Sequence, residues 1–394
     1  MAMGTASMPS ESRLSALVHW LIAGAPGPDS FPDLVGEIGK RLQAADLPVD
    51  QLGIYKTTIH PELPGRLDYW SPAAGPRTRT LTPKQLRESS WWIGSPPQVC
   101  QETGRIVICT FGDAPKFDDR EDMQDLKSRG YTEFVCLPLH SRYTPETNNV
   151  AFSTKWPGGF SPDHIEAFRR LQAPIARITE GFVLHESTIE VLSTYVGRDA
   201  GARVLTGNIL RGDTEVIPSI VLFVDIKDYS TLSNRLPPQD VIAMLNQFFT
   251  GLDDAIQRHG GEILKFVGDG ALCIFPTPDD HSAQIAATAS AMAALEDARQ
   301  AFSANSSEAN LQFRAALHLG DVHYGNIGSH KRLDFTVVGA TVNLTARLLS
   351  AASDFDEDTV FSNAIASLLG GGTRRLGERT FKGFDRPIEV HTLA

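Results

Sequence analysis

Cysteine is scarce in this 394-residue chain: Cys100, Cys109, Cys136 and Cys273 stand far apart, and no two form a Cys-X-X-Cys pair. That spacing excludes a disulfide-framed module and a cysteine-based zinc site, and it predicts reduced thiols. Long apolar runs are missing too. A membrane-spanning helix needs ~20 apolar residues, whereas the run over residues 220–224 has only the length of a buried strand. Positive charge is in deficit, with 36 Lys and Arg against 47 Asp and Glu and a net charge of −11. Such a balance excludes a phosphate-neutralising nucleic-acid surface as the main business of the chain. Residues 1–12 are small and polar, with no basic stretch ahead of an apolar core, so no secretory leader is expected. What is present is an ordinary globular composition, 42% hydrophobic and 21% charged, with length for two or three domains. The expectation is a cytoplasmic protein.

Residues 1–12 read as a disordered N-terminus. Apolar residues at helical spacing over 14–23 and 34–42 predict two helices. Short β-prone runs follow at 53–59, 67–70, 105–111, 133–139 and 150–154, separated by Pro and Gly clusters. Ser161-Pro162-Asp163 then opens a long helix, with proline just inside its start. Together these predict an α+β domain over residues 13–165. Trp70, Trp91 and Trp92 are expected to pack as aromatic core, and His60, His140 and His164 have no metal or haem spacing. The long helix sets Phe168, Ile175, Phe182 and Ile189 in one heptad column and Leu171, Ile178, His185 and Leu192 in another. This predicts a dimeric coiled-coil linker over residues 166–200. The alternative is a helix packed on its own domain, and Pro174 and Gly181 interrupt a continuous coil.

Beyond residue 196 the pattern becomes strand 216–225, helix 237–259, strand 262–267, a tight turn at Gly268-Asp269-Gly270 and a returning strand 271–275. Helix 281–302 and strand 311–319 follow, then a glycine-punctuated segment 320–336, helix 341–352 and closing strands 373–381 and 388–392. The order βαββαβ predicts an α+β fold with a split-βαβ, ferredoxin-like core. In such a sheet Asp225, ending the apolar strand Val221-Leu222-Phe223-Val224, neighbours Asp269 in the hairpin turn. Two carboxylates so placed make a divalent-metal site, because without a cation their charges repel. An aspartate in a β-turn is ordinary on its own. The pair is what points to chemistry.

Four ordered motifs extend this reading. They are Phe223-Val224-Asp225-Ile226, with Ser230 and Thr231 behind it; Gly260-Gly261-Glu262-Ile263-Leu264-Lys265-Phe266-Val267-Gly268-Asp269; Phe335-Thr336-Val337-Val338-Gly339 continuing through Asn343 to Arg347; and Phe381-Lys382-Gly383-Phe384-Asp385-Arg386-Pro387. In them, residues 196–394 resemble the catalytic domain of class III nucleotidyl cyclases, placed here over residues 201–394. The resemblance implies that Asp225, Asp269 and the backbone carbonyl of Ile226 hold two Mg²⁺ or Mn²⁺ ions. It implies that Lys265 and Thr336 read the purine, a pairing of the adenine type where guanine-specific relatives carry Glu and Cys. Asn343 would orient the ribose, Arg347 would stabilise charge on the α-phosphate, and Lys382 would meet the terminal phosphates. The implied reaction is ATP to 3′,5′-cyclic AMP and pyrophosphate, in a homodimer with two composite active sites. A guanylate cyclase, or a catalytically silent cyclase-fold dimerisation module, are the alternatives; no diguanylate-cyclase Gly-Gly-Asp/Glu-Glu-Phe turn occurs. Ala340 stands where many relatives have Asp, and Lys227-Asp228 adds charge where small or apolar residues are frequent. The N-terminal half, through residues 134–138, Asn148, Phe152 and Pro157-Gly158-Gly159-Phe160-Ser161, resembles a GAF sensor domain that would take a small-molecule or protein signal. Its Phe160-Ser161-Pro162-Asp163-His164 lacks the Asp-Glu spacing of cyclic-nucleotide-binding members.

Overall fold

A computed structural model describes residues 8–58, 63–111, 117, 119–142, 148–304 and 311–394. Contacts divide the chain into two units, Met1–Val191 and Leu192–Ala394.

The first unit runs α1 (Glu11–Ile22), α2 (Phe31–Ala44), β1 (Gln51–Thr57), β2 (Gly65–Ser71), β3 (Gly75–Leu81), α3 (Pro83–Glu88), α4 (Pro96–Thr103), β4 (Val107–Thr110), α5 (Glu121–Ser128), β5 (Glu133–Leu139), β6 (Asn148–Thr154) and α6 (Pro162–Val196). Its six strands form one sheet in the order β3-β2-β1-β6-β5-β4, antiparallel throughout. The α2 start is set locally: the Ser30 hydroxyl accepts from the Asp33 N–H, and a proline stands in the first turn. Leu14, Leu17, Leu34, Ile38, Phe168, Leu171 and Ile175 from the helices bury themselves with Leu52, Ile54, Val150 and Phe152 of the sheet. A separate cluster gathers Cys100, Cys109, Met123, Phe134 and Cys136. All four cysteines are buried, and none is in a disulfide. Trp70 is core, and Trp91 and Trp92 lie against the Tyr55 ring.

Three expectations change here. Helix α1 begins at Glu11, inside the stretch assigned to disorder, because the Ser10 N–H bonds the Ala45 carbonyl and Glu11 pairs with Arg170 at 2.8 Å; residues 1–7, like His60, lie outside the described residues. The upper heptad seam is not a dimer seam. Phe168, Leu171 and Ile175 are fully buried in their own unit, and the Phe168 ring stacks on Phe152 at 4.0 Å. Only further along, at Leu184, Ile189 and Tyr195, does the helix expose large apolar side chains. The third change is β3, Gly-Pro-Arg-Thr-Arg-Thr-Leu, an exposed strand with almost no apolar signal.

The second unit contains α7 (Arg198–Leu205), β7 (Thr214–Ile226), α8 (Tyr229–Arg235), α9 (Pro238–Arg258), β8 (Glu262–Val267), β9 (Gly270–Pro276), α10 (His281–Ala304), β10 (Phe313–Gly328), β11 (Leu333–Val338), α11 (Ala340–Phe355), β12 (Thr359–Ser362), α12 (Asn363–Leu369), β13 (Thr373–Arg379) and β14 (Ile388–Leu393). Its sheet order is β13-β14-β12-β10-β7-β9-β8, with β11 folded back on β10. The stretch β10-β7-β9-β8 is the split-βαβ core expected from the βαββαβ order. The unit begins before residue 201, since Ala200 of α7 is buried with Val221, Leu272 and Tyr324. The glycine-punctuated segment 320–336 is mostly strand, the end of β10 and the start of β11. Gly325 serves β10 there, because a Cβ would collide with the Asp213 carbonyl. Among the described residues no helix is long and apolar enough to cross a membrane.

Candidate active site

The centre of β7 is apolar because it lies inside the sheet: Ile220, Val221, Leu222 and Val224 are buried. Asp225 is the first carboxylate beyond that run and pairs with Gly270 of β9. Asp269 immediately precedes Gly270 in the β8–β9 turn, where Gly268 takes a left-handed φ of +66°. A Cβ on Gly270 would strike the Val224 carbonyl, so glycine lets the turn lie close against β7. The two carboxylates therefore meet. Burial, together with the hydrogen bond and charge of Asp269, pushes the Asp225 carboxyl up to about 7, and the Arg314 guanidinium pulls the other way.

A carboxylate driven that far towards its neutral form is a site short of positive charge. Asp225, Asp269 and the carbonyl of Ile226, next along the chain, are oxygen donors, which suits hard divalent cations that take their remaining oxygens from phosphate or water. Among the described residues no cluster of three or more His, Cys, Asp or Glu could hold a metal by itself. The residues present fit Mg²⁺ or Mn²⁺ shared with a substrate.

The purine-reading candidates lie on strands of the same sheet. Lys265 projects from β8, and its ammonium is 3.0 Å from Asp334 Oδ2 on β11. Thr336 is buried, with a hydroxyl that finds no hydrogen-bond partner. The motif thus brings lysine and threonine to neighbouring strands, but the ion pair goes to Asp334. Asn343 and Arg347 are both exposed on α11, one turn apart on one face. Lys382 is exposed beyond β13. Asn343, Arg347 and Lys382 make no ion pair or side-chain hydrogen bond among the described residues.

Two residues escaped the sequence reading. Arg314 lies opposite Asp225 in the β7–β10 ladder, with its Nε buried and without a hydrogen-bond acceptor. Asp334 is the other. Neither carries a motif signal; Arg314 needed the strand register, and Asp334 the packing of β11 beside β8. The departure at Lys227 is absorbed by an ion pair with Asp358.

Residues 215–379 match the family model described as the adenylate and guanylate cyclase catalytic domain. An uncharacterized protein of Mycobacterium tuberculosis is 31% identical over 226 residues, covering 56% of this chain and 38% of that protein. Adenylate cyclase 1 of Rhizobium meliloti is 27% identical over 177 residues, covering 44% of this chain and 27% of that protein. The chain thus spans well under half the length of these relatives. Among solved structures, the adenylyl cyclase CyaB from P. aeruginosa aligns at 28% identity and a TM-score of 0.40, over 46% of this chain and 96% of that one. The guanylyl cyclase Cya2 aligns at 29% and 0.38, over 46% and 93%. With the βαββαβ core and the Asp225–Asp269 pair in place, residues 215–379 belong to the adenylate and guanylate cyclase catalytic domain family.

Proposed function

We propose that the chain is an adenylate cyclase that converts ATP to 3′,5′-cyclic AMP and pyrophosphate. The observation that carries the reading is the Asp225–Asp269 pair, held together at adjacent strand ends with Asp225 pushed up to about 7. Asp225, Asp269 and the Ile226 carbonyl would hold two Mg²⁺ or Mn²⁺ ions. Bound there, the cations supply neutralisation of the triphosphate and favour the ionised ribose 3′-hydroxyl.

The chain's own residues do the rest. Lys265 donates to the purine ring, and the unpartnered Thr336 hydroxyl is free to bond the base edge. Asn343 orients the ribose. Arg347, one helical turn on, meets the charge that grows on the α-phosphate as the 3′-oxygen attacks. Lys382 neutralises the terminal phosphates. A lysine and a hydroxyl at the base favour adenine, because a guanine reader needs an acceptor for the N1–H and amino group. The carboxylate pair and the base, ribose and phosphate readers would come from opposite chains of a homodimer, giving two composite sites in a cytoplasmic enzyme. The N-terminal unit, with its six-stranded antiparallel sheet, is proposed as a GAF-like sensor acting through α6.

The test is product identification. Purified protein is incubated with ATP or GTP and Mn²⁺ or Mg²⁺, and the products are separated by chromatography. Cyclic AMP from ATP, with little cyclic GMP from GTP, is expected. Preferential cyclic GMP would overturn the base assignment, and no cyclic product from either nucleotide would leave a silent dimerisation module.

A further inference from the structure

Lys265 does not reach the base region unaccompanied. Its ammonium sits 3.0 Å from Oδ2 of Asp334. Alternation along a strand puts positions 334 and 336 of β11 on one face. The intervening Phe335, with Val337, turns the other way and is buried among Val221, Leu264 and Leu272. Asp334 and Thr336 are therefore successive groups on one face of a strand beside β8. One is a carboxylate engaged with Lys265, and the other a hydroxyl with no partner among the described residues.

We infer that Asp334 is a positioning residue for purine selection: its carboxylate holds the Lys265 ammonium so that the amine meets the base already directed. The inference rests on the proposed base-reading role of Lys265. An ammonium has three N–H donors and no acceptor. Asp334 takes one, which leaves others for an acceptor nitrogen on the ring. A long lysine side chain loses rotamer freedom when it is fixed on a ligand, and a tether formed beforehand removes that cost from binding. Because Asp334 occupies the lysine, Thr336 is left free to bond the base. The ion pair contributes little to folding, since its two side chains are 37% and 58% exposed. Its removal is then readable as a change in substrate binding.

The test compares Asp334→Asn, Asp334→Glu, Lys265→Met and the Asp334→Asn/Lys265→Met double variant in the full chain. Steady-state kinetics with ATP and GTP at saturating Mn²⁺ are read beside thermal unfolding. Asp334→Asn should raise KM for ATP roughly 10-fold, leave kcat within about 3-fold, and shrink the ATP-over-GTP preference. Asp334→Glu should retain most of the ATP affinity. Adding Asp334→Asn to Lys265→Met should change nothing further, because the carboxylate acts through the amine. If Lys265→Met raises KM but Asp334→Asn leaves it at the wild-type value, the positioning role is overturned while base reading by Lys265 stands. An equal loss from Asp334→Asn with and without Lys265 would also overturn it. If neither residue affects KM or base preference, the base-reading assignment itself fails and takes this inference with it.

Discussion

Arg314 faces Asp225 directly across the β7–β10 ladder, with its Nε buried and without an acceptor. One cation thus confronts two carboxylates, and the balance stays negative: burial and Asp269 push the Asp225 carboxyl up to about 7 despite Arg314. The arrangement explains how a metal-free chain tolerates the pair, by letting Asp225 keep its proton.

A pH dependence follows. In the unfolded chain an aspartate titrates near ~3.9, whereas in the folded chain Asp225 titrates at about 7. The folded state binds the extra proton between those values, so the stability this group contributes is present at low pH and is lost as pH rises through 7. Without divalent cations, the melting temperature should fall between about pH 4 and pH 7, and Mn²⁺ should restore more of it at about pH 7 than at about pH 5. Asp225→Asn should flatten the metal-free profile and abolish cyclisation. Arg314→Leu should move the fall to higher pH. Scanning calorimetry with and without chelator decides the matter, and an unchanged profile in Asp225→Asn would remove Asp225 as its source.

A second prediction concerns the long helix. Phe168 is fully buried and stacks on Phe152 at 4.0 Å, with Phe160 edge-on at 4.9 Å. Phe168→Ala should destabilise the N-terminal unit by about 3–5 kcal/mol through lost burial and a cavity. Ile189→Ser, at an exposed position of the same heptad column, should change folding stability by less than about 0.5 kcal/mol. Urea unfolding of both variants makes the comparison. A small loss at Phe168 would restore the dimer-seam reading of the upper helix.

That heptad column shows where the sequence stops being informative. Over a few turns, periods of 3.5 and 3.6 residues nearly coincide, so Phe168, Leu171 and Ile175 fit a coiled coil and a core-packed helix equally well. What separates the two is the partner surface, the strands carrying Leu52, Val150 and Phe152, which no local pattern reveals. The core around the carboxylates was legible for the opposite reason. An apolar strand ending in Asp225 and a Gly-Asp-Gly hairpin are both local signals, and the βαββαβ order makes them neighbours. Strand β3 left no such trace, being exposed on the sheet edge with arginines and threonines where an apolar alternation would have marked it. Arg314 and Asp334 were illegible because each meets its neighbour through a ladder or a strand packing formed by residues far away in the chain.

The last prediction tests assembly. Asp225 and Asp269 lie at the β7 and β8–β9 ends, while Asn343 and Arg347 stand exposed on α11 without partners among the described residues. Residues proposed for one reaction that find no partner among the described residues of their own chain fit a site completed by a second copy. Asp225→Ala removes a proposed cation ligand and Arg347→Ala the group proposed to face the α-phosphate, so each homodimer should be inactive. In a mixed head-to-tail dimer, one site draws its carboxylates from the Arg347→Ala chain and its arginine from the Asp225→Ala chain, and is intact. The other site carries both lesions. Random pairing of equal amounts makes about half the dimers mixed, so one site in four survives and roughly a quarter of wild-type activity returns. Mass-resolved native spectrometry can verify chain exchange while cyclic AMP production is followed. Exchange without recovered activity would mean that each chain assembles its site alone.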